Sequence, residues 1–566
     1  MAHPVLTFIA LIPIIFFLFM EYGMHWSQKH VIPPTCLLIA VLALAVWRVD
    51  IVQLFASFSQ GFILGFQIIY VVLATIFLGR ALIHAHVLAR VRSWFERISP
   101  DRRIQAIIVG WFLGSTLDGV VGFSATSGIT CGMLAGIGFP PACACLVTVL
   151  GVITSTSFCA AGFPMVLGVA EGLKDPNFLF RLDSAGITMD QYIRVISAHV
   201  GIVQGIAGTF TPLLMIMTMT RFFGKTRTWT EGLSIAPFAL FCGLAFTVPY
   251  ALTAIYLGPE FPDIIGGLVG LSIAVTAVKI GFLIPHDILT LPERPEWRKD
   301  WLAGKYSPQH PLPMPMWQIV FPFLVLALLV IGTRWNDLPF REWLQSYAIQ
   351  QPQFLGTTVN LSIETLYHHG TIIFLMMAIL AIVYHHVRDH LGAAVTPTVV
   401  ITASMIMRLP LTIGMACMYL NSGVNNAHFP SMFQVIADGF AHLPGAQYLW
   451  PFLSPFIGGF LSFLFDTHVF SLSMASMFQH NLAEAIHLPG TLFIALSAIG
   501  ASAGNLVTIH YLAGTLVTVG MIGWEHSSGR RLAIPMFVYL VLAGIVGLIA
   551  AHFFNFTDPL SAAFTP

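Results

Sequence analysis

Charged side chains are scarce in this sequence. Only 9% of its 566 residues are Asp, Glu, Lys or Arg, and 57% are hydrophobic, whereas an ordinary soluble domain carries about 25% charged residues. A soluble fold of this size would lack the charged residues that its surface needs. Apolar runs of about 20 residues recur from end to end, which is the length that a helix needs to cross a bilayer. The composition therefore predicts an all-α integral membrane protein that crosses the lipid bilayer many times.

Other classes of protein are disfavoured by what is missing. The net formal charge is zero, and no basic stripe indicates a nucleic acid partner. The seven cysteines lie in apolar stretches and form no CxxC pair, which argues against disulfides, zinc and redox sites. Residues 4–20 lack the basic flank of a cleaved signal peptide and are interpreted as a retained helix. We expect no cofactor and no metal, while oligomers are possible.

The distribution of Lys and Arg predicts the orientation in the membrane, because cytoplasmic loops are enriched in both. The segments that carry them are 80–103, 221–231, 285–315 and 524–531. The loop that contains Glu260 and Asp263 has neither residue and is expected outside. Threading the chain through these loops places both termini outside.

This threading predicts two halves of opposite orientation. We expect about 12–14 transmembrane helices in two inverted-topology repeats, residues 1–232 and 316–566, joined by a helical hairpin and a cytoplasmic loop over 233–315. Each repeat contains an apolar region broken by Gly, Pro and hydroxyl residues, at 104–180 and at 451–523. Inverted repeats with broken helices are a common plan of secondary transporters.

The two broken regions are the expected substrate site. Broken helices persist at membrane depth only where protein or a water-filled cavity covers their backbone, and their free amide ends suit an anionic substrate. A single Gly is better explained by close helix packing, but two such regions in corresponding positions favour a site between them. The candidate substrate-binding residues are Ser115, Thr116, Gly119, Gly122, Ser124, Thr126, Ser127, Thr154, Ser155, Thr156, Thr467, Ser471, Ser473 and Asn505.

Ionisable side chains inside these spans are functional candidates, since each costs roughly 2.5 kcal/mol or more at membrane depth. Asp118 is the first candidate for a coupling proton and Asp466 the second; the alternative is a structural carboxylate bonded to Ser, Thr or amides. His468 and His510 could join a proton relay, or could be buried, hydrogen-bonded histidines. Arg408 could pair with a substrate carboxylate. Alternatively, it could lie near the start of its helix, with its side chain reaching the cytoplasmic interface.

The 21 histidines suggest a different class of protein. Residues 84–86 and 385–390 loosely match the boxes that hold two irons in membrane desaturases and hydroxylases. Those enzymes need further boxes on the same side, whereas His368 and His369 fall on the opposite side of the membrane. Interfacial histidines explain the pattern better. We therefore expect no enzyme, and a histidine-rich di-iron oxidase is a remote alternative.

Five stretches occur in the order and spacing of one known family. They are 98–103 (ISPDRR), 117–123 (LDGVVGF), 136–141 (GIGFPP), 258–265 (GPEFPDII) and 454–458 (SPFIG). The chain resembles the lactate permease family of bacterial proton-coupled monocarboxylate transporters. The resemblance implies symport of a proton with L-lactate, D-lactate or glycolate across the bacterial plasma (inner) membrane. It also implies a fold of inverted repeats with hairpins.

The chain departs from the family pattern within the expected site. Asp118 stands where the family has the longer Glu, residues 152–159 replace NTAPVAFG, and residues 465–469 replace a Thr-Gly-Ser type turn. Asn505 lies in a run where the family carries a Lys, so a possible partner of a carboxylate is missing. A permease of the same fold for a different small organic solute is therefore the main alternative.

Overall fold

The chain is helical almost throughout. The computed structural model describes residues 4–24, 26, 28–84, 87–95, 97–302, 315–335, 338–383, 385–403, 406–521, 523–554 and 556–560. Within these ranges, strands occur as one antiparallel hairpin of β1 (Ile349–Gln351) and β2 (Leu361–Ile363). Seven of the described helices are long and apolar enough to cross a membrane, or ten if each of three bent pairs is one span. The prediction of an all-α integral membrane protein is confirmed.

The helices divide by position along the chain. The first part contains α1 (Pro4–Leu18), α2 (Gln28–Leu42), α3 (Ile51–His84), α4 (Val87–Phe95), α5 (Arg102–Gln105), α6 (Gly114–Val120), α7 (Phe123–Ile137), α8 (Pro141–Gly151), α9 (Cys159–Phe163), α10 (Ala170–Gly172), α11 (Pro176–Ser184), α12 (Met189–Gly208) and α13 (Thr211–Phe223). The hairpin that follows is α14 (Ala236–Tyr256) and α15 (Pro262–Ile280). The last part contains α16 (Met316–Arg334), α17 (Phe340–Gln345), α18 (His369–Val383), α19 (His385–Ala403), α20 (Arg408–Leu420), α21 (Met432–Ala441), α22 (Ala446–Phe465), α23 (His468–Ala485), α24 (Gly490–Asn505), α25 (Ile509–Leu516) and α26 (Glu525–Phe553).

Both expected broken regions contain two breaks in the same order. Between α6 and α7, Gly122 adopts a left-handed φ of 77°, which costs glycine little because it has no Cβ. After α8 the chain bends by 67° into the segment that contains α9. Between α22 and α23, Asp466 takes a left-handed φ of 60°, and α24 bends by 50° into α25. Each region is thus helix, break, two helices joined by a turn, and break.

A helix of the first half of the chain packs against a helix of the second half. Gly61 of α3 faces Ile413 of α20, and Gly65 faces Pro410, so α3 and α20 run antiparallel. Opposite directions of the third helix in each half are what the inverted-repeat hypothesis requires. The division at residues 232 and 315, and the count of 12–14 spans, stay predictions.

The segments predicted to be cytoplasmic lie on one face. Arg103 donates to the Ser234 hydroxyl at 2.5 Å and to the carbonyl of Asp287. Arg531 pairs with Asp300, and the neighbouring Trp301 lies under the guanidinium of Arg227. These contacts join the polar ends of all four segments.

The loops predicted outside also meet. Arg341 forms a salt bridge of 2.7 Å with Asp190, which lies in the first turn of α12. The rings of Phe261 and Trp335 lie 5.8 Å apart, which joins the α14–α15 loop to the end of α16. The two groups of loops therefore have the grouping that the Lys and Arg distribution predicts.

Small residues set the closest helix approach in the second broken region. At Gly500 of α24, a Cβ would overlap the carbonyl of Pro455 on α22. We expect Gly500→Ala to destabilise the protein by about 1–3 kcal/mol, because the backbones must separate to admit the methyl group. The measurement is thermal unfolding of the purified protein in detergent.

Gly332 in α16 is the matched control for this substitution, since a Cβ at that position meets no atom within 4 Å. Gly332→Ala should leave the melting temperature unchanged or raise it slightly. Equal melting temperatures of Gly500→Ala and the wild type would contradict the close approach of α22 and α24.

Candidate substrate and ion site

Arg408 and Asp466 form an ion pair inside the protein. Arg408 is the first residue of α20, and Asp466 occupies the left-handed turn between α22 and α23. An Nη2 of the arginine lies 2.5 Å from Oδ2 of the aspartate. The backbone N–H of His510, in the first turn of α25, donates to Oδ1 at 3.4 Å. One carboxylate thus joins the two breaks of the second broken region to α20.

A cavity of about 1350 Å³ reaches this ion pair. Its wall includes Arg408 and Asp466, whose side chains stay 24% and 11% accessible. The wall also includes Glu525, His526 and Arg530, which belong to a segment predicted to be cytoplasmic. Most of the remaining lining residues are apolar, and four of them are phenylalanines. An apolar wall with a few polar groups is typical of a site for small organic molecules.

Asp118 lies elsewhere, in a second acidic site. It is 1% exposed and sits one helical turn before the break at Gly122. Ser155 donates to its Oδ2 at 2.9 Å, and the Thr126 hydroxyl interacts with the same carboxyl. Oδ1 of Asp118 has no hydrogen-bond partner among the described residues. The predicted residues Asp118, Thr126 and Ser155 are therefore brought together.

Asp263 is a buried acidic residue that sequence reasoning missed. It lies in the first turn of α15, 1% exposed, and its Cβ would be 2.7 Å from a Cβ built on Gly119. In the described part of the chain, neither oxygen of its carboxyl has a hydrogen-bond partner. The sequence predicts only that Asp263 and Glu260 share an outer loop, because that loop has no Lys or Arg. The available signal was its place in the stretch 258–265 that resembles the family.

Glu260, in the same outer loop, is also buried. Its desolvation raises the pKa of this carboxyl, against the opposing effect of Arg341, Arg334 and Arg194.

Several predicted hydroxyl residues lie at the interface of the two halves. Ser127 of α7 and Thr515 of α25 are joined by a hydrogen bond of 2.6 Å. Ser124 packs against Gly514. A Cβ added to Gly514 would lie 2.7 Å from the Cβ of Ser124. The hydroxyl of Ser124 is buried without a partner among the described residues. This interface joins α7 of one broken region to α25 of the other.

Other predicted residues hydrogen-bond within the scaffold instead. Thr116, Thr156 and Ser473 each donate to a carbonyl four residues earlier in the chain. The remaining contacts are Thr154 with Thr211 at 3.0 Å and Ser471 with the carbonyl of Gly458 at 2.9 Å. Ser115 is buried with no hydroxyl partner in the described ranges, Thr467 precedes α23 without capping it through its side chain, and Asn505 ends α24. The list of predicted binding residues stays a prediction.

The two predicted histidines have different surroundings. His510 lines a small pocket together with Arg408, Thr412 and Asp466. The ring of His468 is fully buried, with Nε2 3.5 Å from the sulfur of Cys159. Only His510 therefore accompanies the ion pair.

The structure does not test the histidine boxes. No group of three His, Cys, Asp or Glu side chains is placed to hold a metal ion within the residues that the structure describes. The side chains of the box histidines lie outside that description; they are His84, His86, His385, His386 and His390. The alternative of a di-iron oxidase thus rests on sequence spacing alone.

Comparisons with known proteins cover nearly the whole chain. A family model described as L-lactate permease matches residues 7–554. The glycolate permease GlcA of Escherichia coli K12 is 26% identical, over 97% of this chain and 96% of its own length. The L-lactate permease of the same strain is 22% identical, with 98% and 97% covered. That of Bacillus subtilis 168 is 23% identical, with 97% and 96% covered.

These matches confirm the resemblance drawn from the five stretches. The bacterial relatives and the many apolar helices identify a multi-pass protein of the bacterial plasma membrane. A match over residues 7–554 includes both broken regions, the ion pair and the connecting hairpin. The chain belongs to the L-lactate permease family.

Proposed function

We propose that this protein is a secondary transporter that carries a small monocarboxylate and a proton together across the plasma membrane. The observation that carries the proposal is the Arg408–Asp466 ion pair, which a cavity on the predicted cytoplasmic side reaches. The relatives named as L-lactate and glycolate permeases support L-lactate, D-lactate or glycolate as the substrate class.

Arg408 is the proposed receptor of the substrate carboxylate. A planar guanidinium donates two parallel hydrogen bonds to a carboxylate, and in this structure Asp466 occupies that position at 2.5 Å. Arg408 lines the same cavity as Val507 and Thr508, which follow Asn505 at the second break. It thus supplies a cation close to the run where the resemblance leads one to expect a lysine.

Asp466 is the proposed proton carrier. When its carboxylate takes a proton, the charge that holds Arg408 is lost, and the guanidinium becomes free for the substrate anion. Proton and anion then load together, so the site keeps the same net charge. Loss of the proton restores the ion pair, which competes with the bound substrate and favours its release.

Asp118, the first candidate from the sequence, is the alternative carrier of the coupling proton. The buried carboxyl of Asp263 interacts electrostatically with that of Asp118, and the Ser155 hydroxyl donates to Asp118 at 2.9 Å. Two ionised carboxylates at close range repel each other, so a proton held at this pair relieves the repulsion. Asp466 is preferred because it alone of the two aspartates contacts the arginine that would receive the anion.

The role of Arg408 is tested by Arg408→Gln. In liposomes with an inward proton gradient, we expect accumulation of radiolabelled L-lactate or glycolate to fall at least about 100-fold, since the substrate loses a charge-assisted bond and Asp466 loses its partner. Arg408→Lys should retain part of the activity. Arg530→Gln, which removes a positive charge from another part of the cavity wall, should change transport by less than about threefold.

Failure of the wild type to accumulate either acid would overturn the proposed substrate class. The glycolate permease of Escherichia coli serves as the positive control in parallel liposomes. Excess lactate that leaves uptake of another solute unchanged would favour the alternative of a different organic substrate.

The role of Asp466 is tested by Asp466→Asn. The amide cannot ionise, so Arg408 stays available while the proton is no longer carried. We expect exchange of labelled for unlabelled substrate to continue, while accumulation driven by the gradient is lost. Glu525→Gln, another carboxyl of the cavity wall, should accumulate substrate as the wild type does.

Asp118→Asn measured beside Asp466→Asn decides between the two carboxyls. Accumulation that survives in Asp466→Asn and disappears in Asp118→Asn would assign the proton to the Asp118–Asp263 site. The pH dependence of the exchange rate is a second measurement. The variant that lacks the coupling carboxyl should show exchange that no longer changes with pH.

A further inference from the structure

Arg334 is a buried cation without a bound carboxylate. It ends α16 and is 5% exposed. Its Nη2 donates to the carbonyl of Tyr367 at 2.9 Å, and its guanidinium carbon lies 3.9 Å from the centre of the Tyr367 ring. It forms no salt bridge with any carboxylate of the described residues, and its Nε is buried without a hydrogen-bond partner there. A buried charge is normally compensated by an ion of opposite sign.

The residues next to Arg334 offer further unused donors. The hydroxyl of Tyr367, both ring nitrogens of His368 and Nδ1 of His369 are buried without hydrogen-bond partners among the described residues. Burial, together with the charge of Arg334, lowers the pKa of His368 to about 4, so its imidazole is neutral and offers one N–H. Folded proteins leave few buried polar atoms unpaired. Such a concentration points to a ligand.

Two nearby glutamates, Glu260 and Glu364, interact electrostatically with Arg334. Neither forms a salt bridge with Arg334 among the described residues. The neighbouring cation Arg341 is already paired with Asp190 at 2.7 Å. Arg194 is the other cation that acts on Glu260. The buried Nε of Arg334 therefore stays available as a donor to an anionic ligand.

The cluster connects the outer face to the first broken region. The loop before α16 is predicted to be cytoplasmic, so Arg334 lies at the outer end of that helix. His369 contacts the carbonyl of Val120, the last residue before the first break, at 3.1 Å. The ring of His368 lies 5.7 Å from that of Phe163, beside the next break. The cavity at Arg408 opens on the opposite, predicted cytoplasmic, face.

We propose that Arg334, Tyr367 and His368 form an outer binding site for the carboxylate group of the substrate. The identity of the substrate rests on the proposed function, whereas the site itself requires only a small carboxylate anion. Here the site is closed while the cavity side is open. Opening of the outer side would expose Arg334, and the substrate carboxylate would replace the Tyr367 carbonyl and ring as its partner.

The test compares transport from the two sides of the membrane. Wild type, Arg334→Gln and Arg334→Lys are expressed in a bacterial host that lacks its own lactate and glycolate permeases. Initial rates are measured against substrate concentration in intact cells, which present the outer side, and in inverted vesicles, which present the cytoplasmic side. Arg341→Gln is the control, because it removes an outer cation that Asp190 already neutralises.

We expect Arg334→Gln to raise the KM in intact cells about tenfold or more, the loss that one charge-assisted hydrogen bond produces. The KM in inverted vesicles should stay within about twofold. Arg334→Lys should recover part of the loss in cells, and Arg341→Gln should resemble the wild type. Equal changes of KM on both sides, or a change of maximal rate alone, would assign Arg334 a structural role and overturn the proposal.

A second measurement separates this site from the proposed function. If the wild type transports neither acid, the proposed function fails, and thermal shifts of purified Arg408→Gln and Arg408→Gln/Arg334→Gln are compared with formate, acetate, lactate and glycolate. A carboxylate that stabilises only the protein with Arg334 supports the outer site. Equal shifts, or none in either protein, overturn it.

Discussion

The structure depends on satisfying the backbone groups that helix breaks leave open. Lipid offers them no hydrogen bonds, so each break must be covered by protein or by a water-filled cavity. The Val120 carbonyl receives His369 at 3.1 Å, and the His510 N–H donates to Asp466 at 3.4 Å. The partner of each break comes from a distant part of the chain. The breaks therefore bring together the helices that carry the charged residues, and a change of one partner would alter the position of a whole helix end.

The two broken regions share an architecture while their chemistry differs. Each follows the order helix, break, helical hairpin, break. Around the first break there are two aspartates and several hydroxyl residues, whereas the second has an aspartate paired with an arginine. Asp118 precedes its break by one turn, but Asp466 forms the break itself. A similar backbone plan thus presents a carboxyl pair on one side and an ion pair on the other.

Charge in the interior follows the proposed path of the substrate. Arg408 lies at the cavity on the predicted cytoplasmic side, and Arg334 lies near the outer loops. Arg408 has an internal carboxylate as its partner, while Arg334 has a carbonyl and an aromatic ring. Both arrangements hold a guanidinium ready for an anion, since neither uses all of its donors on permanent partners. In the proposed mechanism, these two arginines would lower the cost of transferring an anion at two points of the path.

The sequence by itself determined the membrane class, the grouping of the loops, the two broken regions and the family. These properties depend on local composition, because the length of apolar runs, the sites of Lys and Arg, and clusters of Gly and Ser act where they stand in the chain.

Only the tertiary structure decided which charged groups meet. Arg408 finds Asp466 across 58 residues, Asp263 of the hairpin joins Asp118, and Arg334 lies against Tyr367. Such pairs depend on how closely the helices approach, which is set by contacts such as that of Gly65 with Pro410 and of Gly500 with Pro455. The spacing of residues along the chain does not predict these close helix contacts, because each contact depends on side chains that are far apart in the sequence.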